Sequence, residues 1–238
     1  MSVSELSTST QNYLKAIWHL QEWQADPVPP SALAQRLGLR PSTVSDALRK
    51  LAEQGLVDHT PYGTVSFTDA GRRYAIEMVR RHRLIETFLV RVLHYSWDEV
   101  HDEAEHLEHA VSDKLINRLD ELLGNPKRDP HGDPIPAPDG TLSLPDARLL
   151  AQFQPGAKVT VERVSDDNPE LLQYLKQRSI DIGDTFTLEA GAPFSEVILA
   201  VAADGTATPL GSHAQSQIWV SAHSGVAGAS DPGSGSAV

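Results

Sequence analysis

The densest run of side chains able to bind a metal lies between residues 101 and 109, in the sequence HDEAEHLEH. An α-helix turns by about 100° per residue, so four of these residues fall within one stripe of roughly 100°. The four are His101, Glu105, Glu108 and His109. A common stripe lets their side chains project together, as a metal site requires.

A second pair of possible ligands precedes this run, because His82 and Glu86 are four residues apart and share a helix face. Imidazole and carboxylate donors suit Mn²⁺, Fe²⁺, Co²⁺, Ni²⁺ or Zn²⁺. The alternative is an acidic, solvated helix with incidental histidines, but ligand-type residues on two predicted helices favour metal binding. A zinc-protease helix is excluded, because it needs His-Glu-x-x-His and no histidine of the run precedes a glutamate directly.

The N-terminal third has the element order of a winged helix-turn-helix. In this motif the second of the two helices joined by the turn enters the major groove of DNA. The pattern predicts helices over 11–23, 31–37 and 41–54, a turn at Gly38, and strands over 56–59 and 64–68. Hydroxyl groups suit phosphates and base edges, and arginine suits guanine or phosphate. The candidate DNA contacts are therefore Arg40, Ser42, Thr43, Ser45, Asp46 and Arg49, with the wing tip Pro61–Thr64 near the DNA backbone.

A purely structural interpretation is the alternative, since any three-helix module with a glycine turn has a similar pattern. In that case Ser42 is only a helix N-cap and Arg49 a solvated surface residue.

The rest of the chain changes from helical to β-type patterns. A long helix is predicted from Asp69 to about Leu93, capped by Thr68, followed by one or two helices over 97–123. A Pro-, Gly- and Asp-rich stretch then leads to one short helix over 170–178 and β-type runs over 158–164, 185–189, 196–202 and 217–221, with a hairpin turn at Asp204-Gly205. The expected domains are a DNA-binding domain 1–75, a metal-binding and dimerisation domain 76–145, a small barrel 146–223 and a disordered tail 224–238.

Composition limits the possible functions. The 238 residues are 40% hydrophobic, enough for a core, and contain no cysteine. Disulfides, thiolate zinc sites, iron–sulfur clusters and a cysteine nucleophile are therefore excluded. The longest apolar run has seven residues and no basic-then-apolar leader opens the chain, so we expect a cytoplasmic protein without membrane contact.

Charge is unevenly distributed along the chain. Residues 1–75 carry no net charge, residues 76–125 carry −5 and residues 126–238 carry −7. A strongly acidic surface repels a polyanion. Only the N-terminal third is neutral enough to approach DNA, and a cation bound by the middle third would help it to do so.

Several strings in combination resemble the diphtheria-toxin-repressor family of metal-dependent bacterial transcription regulators. They are RRHRLIETFLV, WDEVHDEAE, LEHAVSD and DPHGDPIP. The resemblance covers most of the chain. It implies a mainly α N-terminal two-thirds, with a winged helix-turn-helix and a helical dimerisation domain, followed by a C-terminal β-barrel resembling an SH3 domain.

The resemblance also implies two ligand sets. The primary set corresponds to Asn12, Glu105, Glu108 and His109, and the ancillary set to His82, Glu86 and His101. Glu105 stands where iron-responsive members have cysteine, which places the chain nearer the manganese-responsive branch. Asn12 stands where that branch commonly has aspartate. Lys15 replaces the second acid of compact two-metal variants, so two separated ions per subunit are expected. Further ligands from Asp166 or Asp167 are left open.

The expected function is a manganese-activated repressor that binds a pseudo-palindromic operator as a homodimer and takes no small-molecule substrate. Within the same family, the alternative is a regulator that responds to Fe²⁺, Co²⁺ or Zn²⁺. In another class, the alternative is a metal-dependent hydrolase, which needs an open metal position and a general base in a cleft. Metal-dependent duplex binding distinguishes the regulators from the enzyme.

Overall fold

The computed structural model describes residues 2–23, 28–59 and 63–223, and the chain divides into two compact units. Residues 1–144 with 165–174 form the first unit, and residues 145–164 with 175–238 form the second. The first is helical apart from a short hairpin, and the second is built on an antiparallel sheet. The expected fold class is therefore confirmed, whereas the four-part domain division stays a prediction. No helix described in either unit has the length and apolarity needed to cross a membrane.

The first unit opens with a helix-turn-helix and a hairpin. Its elements are α1 Thr8–Glu22, α2 Pro30–Leu37, α3 Pro41–Glu53, β1 Val57–His59 and β2 Val65–Phe67. Ser7 caps α1, because its hydroxyl accepts a hydrogen bond from the Thr10 amide. Gly38 has a φ of 63°, a left-handed conformation that ends α2 and lets α3 start three residues later. The core of this part includes Leu14, Ile17, Leu33, Val44 and Leu48.

The longest helix of the first unit is α4, which spans Asp69–Leu93. Thr68 caps it: its hydroxyl accepts from the Gly71 amide at 3.1 Å and donates to the Gly55 carbonyl at 2.7 Å. A Cβ at Gly71 would lie 1.8 Å from the Leu56 carbonyl oxygen. Glycine therefore lets α4 lie directly against the chain entering the hairpin.

Two shorter helices pack on the second half of α4. They are α5 Val100–Leu107 and α6 Asp113–Leu122. Their shared core includes Leu84, Ile85, Leu89, Val100, Ala104, Ile116 and Leu119. Residues 124–144, here called the strap, follow α6 and include an antiparallel bridge between Arg128 and Pro134.

A buried arginine joins α1, α4 and the strap. Arg83 of α4 is 2% exposed and donates to both carboxylate oxygens of Glu22, at 2.8 and 2.6 Å. It also donates to the Pro134 carbonyl at 2.7 Å and to Asp133 at 3.2 Å. Bidentate pairing satisfies a guanidinium that burial would otherwise destabilise.

The second unit contains an antiparallel sheet with strand order β3-β8-β4-β5-β6-β7. Its strands are β3 Arg148–Leu149, β4 Lys158–Val164, β5 Thr185–Ala190, β6 Ile198–Val201, β7 Ala207–Leu210 and β8 Ile218–Ala222. Helices α7 Pro169–Gln177 and α8 Ser212–Gln215 lie between strands in the sequence. The predicted turn at Asp204-Gly205 joins β6 and β7, with Gly205 at a φ of 87°. Alternate strand residues such as Val159, Val161 and Leu188 are buried.

The strand predictions were incomplete at the sheet edges. The sequence pattern did not identify β3, which has two residues, or β7, which contains Pro209 and so lacks one strand donor. These two strands are the edges of the sheet described over residues 148–222, so it does not close into a barrel. An SH3-like architecture remains compatible with it. Pro61 and Tyr62 of the predicted wing tip and the tail 224–238 lie outside the described residues.

The Arg83 junction yields a stability prediction. Arg83→Met removes the cation that pairs with the buried carboxylates of Glu22 and Asp133, so we expect the free energy of unfolding to fall by about 3–5 kcal/mol. Arg118→Met is the control, because Arg118 is 70% exposed in its pair with Glu121 and should cost less than about 1 kcal/mol. Urea denaturation measures both changes, and equal losses would contradict the assigned role of Arg83.

Candidate functional site

The first donor cluster forms where α4, α5 and the segment at residue 166 meet. His82 and Glu86 lie one turn apart on α4 and are 2% and 0% exposed. His101 of α5 and Asp166 complete a group whose ligand atoms all lie within 4.8 Å of one another. The closest separations are 3.0 Å between His82 Nε2 and Glu86 Oε1 and 3.0 Å between His101 Nδ1 and Asp166 Oδ2.

The strap adds two further ligand-type residues on the other side of Glu86. The ligand atoms of Glu86, Asp129 and His131 also lie within 4.8 Å of one another, and all three residues are buried. His131 Nε2 donates to the Trp97 carbonyl at 2.6 Å, so its Nδ1 faces Glu86 Oε2 at 3.7 Å. Asp129 Oδ1 accepts from the amides of His131 and Asp133. The strap is thus folded around its own ligand-type side chains.

Protonation of these histidines follows from their carboxylate neighbours. Burial lowers the pKa of His82, but the charge of Glu86 outweighs it and raises the pKa to about 9. At His131 the interaction with Glu86 outweighs burial and raises the pKa to about 10. At His101 the interactions with Asp166 and Glu86 outweigh burial and raise the pKa to about 11. A metal that takes these ring nitrogens at neutral pH must release their protons.

The second donor cluster lies between α5 and α1. Ligand atoms of His82, Glu105 and Glu108 lie within 4.8 Å of one another, and His82 Nδ1 is 2.6 Å from Glu108 Oε2. His82 therefore contacts both clusters. Lys15 of α1 reaches the same group: its Nζ donates to Glu105 Oε1 and, at 2.6 Å, to Glu108 Oε1.

His109 is positioned by a glutamine that the sequence analysis did not single out. Gln11 Nε2 donates to the carbonyls of Val3 and Leu6, so its Oε1 must accept from His109 Nδ1, 2.6 Å away. Burial lowers the pKa of His109, which favours a neutral ring. With the proton on Nδ1, Nε2 keeps its lone pair and lies 3.5 Å from Glu108 Oε1. This arrangement matches the way proteins orient a metal-binding imidazole.

Buried atoms that make no hydrogen bond test whether these groups fit a metal. Among the described residues they are Asn12 Oδ1, His82 Nε2, both carboxylate oxygens of Glu86, His101 Nδ1 and His131 Nδ1. The histidine and glutamate atoms of this set meet only as ion pairs, at 3.0–3.7 Å. Buried polar atoms nearly always have partners, and exceptions require an explanation such as an ion. Oxygen and imidazole nitrogen are also the donors that Mn²⁺ and related ions prefer. The residues therefore fit a divalent metal.

The predicted ligands occupy adjacent places. His82, Glu86 and His101 share the first cluster, and Glu105 and Glu108 share the second with His82. His109 lies beside Glu108, and Asn12 lines the same cavity as Glu105. Their roles as ligands stay predictions, as do the number and identity of the ions.

Three ligand-type residues were missed or left open in the sequence analysis. Asp129 and His131 belong to the string DPHGDPIP, in which Asp, His and Asp alternate within the strap. That alternation was a usable signal. Asp166 was an open possibility together with Asp167, and the structure distinguishes the two. Asp166 faces His101, whereas Asp167 forms a two-point ion pair with Arg36 on α2.

The candidate DNA contacts lie on one accessible surface. All six residues at the start of α3 are exposed: Arg40, Ser42, Thr43, Ser45, Asp46 and Arg49. The purely structural interpretation of Ser42 as the N-cap of α3 is wrong, because Arg40 occupies that position and no side chain caps the helix. Arg49 is 64% exposed and lies 3.6 Å from both Asp46 and Glu53, so its pairs are loose. These side chains are available for a partner.

Comparison with known protein families accounts for most of the chain. The N-terminal DNA-binding domain of iron-dependent repressors matches residues 5–65, and their metal-binding and dimerisation domain matches residues 68–137. The FeoA domain matches residues 148–222.

Individual relatives agree with these matches. The iron-dependent repressor IdeR of Mycobacterium leprae is 31% identical over 212 residues, which cover 84% of this chain and 91% of the relative. IdeR of Mycobacterium tuberculosis matches over 58% of its own length.

Solved structures extend the likeness to the fold. A manganese-dependent transcriptional repressor in complex with manganese is 51% identical, with a TM-score of 0.84 over 90% of this chain and 99% of that one. ScaR with bound Zn²⁺ is 33% identical, with a TM-score of 0.75 over the same shares. Family, sequence and fold thus agree, and the chain belongs to the iron-dependent, or diphtheria toxin, repressor family of metal-dependent transcriptional repressors, which are not enzymes.

Proposed function

We propose that this chain is a manganese-dependent repressor that binds Mn²⁺ at the two donor clusters and operator DNA through α3. The observation that carries the proposal is the convergence of buried imidazole and carboxylate groups where α1 meets α4 and α5, several with atoms that make no hydrogen bond among the described residues. The primary ligands are Asn12, Glu105, Glu108 and His109, and the ancillary ligands are His82, Glu86 and His101, with Asp166 beside them. Each subunit binds two ions.

The choice of Mn²⁺ rests on the donors. The chain has no cysteine, so every available ligand is oxygen or imidazole nitrogen. Such a set favours harder ions than a thiolate set does. The similar structure with bound manganese supports the same choice. A bound Mn²⁺ would supply the two positive charges that the clustered carboxylates otherwise obtain from protonated side chains.

The residues of the chain link the donor clusters to DNA binding. Asn12 lies on α1, which packs in one core with α3, whereas Glu105 lies on α5 and Glu108 directly follows it. Ligands from both sides restrict how α3 is oriented relative to α4 and α5. With fewer orientations available to α3, the orientation that fits DNA is populated more often. In a homodimer two α3 helices would meet two half-sites, which predicts a pseudo-palindromic operator.

Metal-titrated DNA binding tests this proposal. An operator selected from fragments of the source genome should bind tightly with Mn²⁺ and weakly with chelator, measured by fluorescence anisotropy. Glu108→Gln should weaken Mn²⁺ binding by more than about 100-fold, since even outer partners of a ligand are worth about 10–100-fold. His106→Gln is the control, because His106 is an exposed residue of α5.

The same titration with Fe²⁺, Co²⁺ and Zn²⁺ separates the alternative regulators. Stronger activation by one of these ions at equal occupancy would replace Mn²⁺ in the proposal. DNA binding that is unaffected by any metal would overturn the proposal as a whole.

Gln11 is not a proposed ligand, but its hydrogen bond to His109 predicts an effect on metal affinity. Gln11→Leu removes the acceptor that holds His109 Nδ1–H, so Nε2 loses its fixed direction. We expect Mn²⁺ affinity to fall by about 10–100-fold. Gln173→Leu, at an exposed glutamine, should leave affinity unchanged. Isothermal titration calorimetry compares the two variants, and equal affinities would exclude an orienting role for Gln11.

The surface of α3 provides a prediction about DNA. Arg49→Ala should weaken binding to operator and scrambled duplexes alike and lower the salt slope by about one unit, as expected for one lost phosphate contact. Ser42→Ala should instead change the preference at particular base pairs, by about 1–3 kcal/mol for a good contact. Arg118→Ala serves as the charge control. Parental affinity in both α3 variants would show that α3 does not read DNA.

A further inference from the structure

Lys15 is a buried cation at the centre of the second donor cluster. The residue is 5% exposed, and its ammonium group donates to one carboxylate oxygen of Glu105 and one of Glu108. Lysine is almost never buried without paired partners. Here the partners are two carboxylates that the proposed function assigns to the primary metal ion.

The ammonium makes the connection that a metal ion would make. It reaches from α1 to Glu105 and Glu108, and it offsets one of their two negative charges. Both oxygens of the buried Glu108 are engaged, Oε1 by Lys15 and Oε2 by His82. A divalent ion bound by Glu105 and Glu108 would therefore meet the like charge of the ammonium at close range. The two cations therefore exclude each other.

We propose that Lys15 is a built-in competitor for the primary metal site, so that a divalent ion binds Glu105 and Glu108 only by displacing the lysine ammonium. This inference rests on the proposed function, because it takes these two residues as metal ligands. It assigns Lys15 the role of setting the metal concentration at which the primary site fills.

The displaced lysine side chain can enter an adjoining cavity. A cavity of about 650 Å³ adjoins the site and is lined by Asn12, Lys15, His19, Gln35, Glu105 and other residues. Asp167 also lines this cavity, but both of its carboxylate oxygens pair with Arg36, which lines the cavity as well. The displaced ammonium would therefore be solvated by water in the cavity.

Two features oppose metal binding at the primary site. Asn12 is a neutral amide where a carboxylate would add a negative charge, and Lys15 holds one oxygen of Glu105 and one of Glu108.

Lys15→Met tests the competition. The substitution keeps much of the side-chain length and removes the charge, so Mn²⁺ should bind at least about tenfold more tightly at one of the two sites. Lys114→Met, at an exposed lysine of α6, is the matched control. Calorimetric titration gives both affinities. Unchanged or weaker binding in Lys15→Met would overturn the proposal.

A labelling experiment on the unmodified chain keeps the test valid if the variant fails to fold. Acylation of lysine amines, read by mass spectrometry, should be slow at Lys15 in the presence of chelator, because the amine is buried and paired. Saturating Mn²⁺ should increase labelling of Lys15 severalfold and leave Lys114 unchanged. Equal labelling of Lys15 under both conditions would contradict displacement.

The two proposals fail in different ways. If Mn²⁺ promotes operator binding while Lys15→Met has parental Mn²⁺ affinity, the competitor role is wrong and the repressor function stands. If Mn²⁺ binds but does not affect DNA binding, the repressor function fails, and Lys15 is still tested by affinity and labelling.

Discussion

Burial of charge along α4 is the constraint on which the arrangement of the first unit depends. Four consecutive ionisable residues, Arg80–Arg83, are each less than 8% exposed. A buried charge is tolerated only with partners in good geometry. Those partners come from separate parts of the chain: Glu22 from α1, Asp113 and Asp120 from α6, Glu108 from the end of α5, and Asp133 from the strap. Pairing these charges draws α1, α6 and the strap onto one helix.

The donor clusters are the part of this charge network that protein groups alone leave incomplete. Arg80 and Arg83 are matched by fixed carboxylates, whereas Glu86 has buried oxygens without hydrogen bonds among the described residues. Glu86 raises the pKa values of His82 and His131, and the protonated rings compensate its charge. A divalent cation would supply the same compensation, so the charge balance of the core agrees with metal binding.

The helical half of the fold could be predicted from local signals. Thr68, the Gly38 turn and the apolar spacing predicted α2, α3 and α4 to within one residue, because caps and glycines act within a few residues. The first helix begins at Thr8, three residues before its predicted start. The helical stripe likewise predicted that ligand-type residues of α5 project together. The positions of Asp129, His131 and Asp166 depend on contacts between distant segments, which periodicity does not encode. Gln11 was missed because its role depends on a histidine 98 residues away.

The imidazole of His82 contacts both clusters, with Nδ1 at 2.6 Å from Glu108 and Nε2 at 3.0 Å from Glu86. A neutral imidazole has one lone pair and one N–H group, so a change at one ring nitrogen constrains the other. If both clusters bind metal, as the proposed function holds, occupancy of one would alter the affinity of the other, and the coupling free energy would be the same in both directions. One side chain would then couple the two proposed sites, and their response to metal concentration would differ in steepness from that of two independent sites.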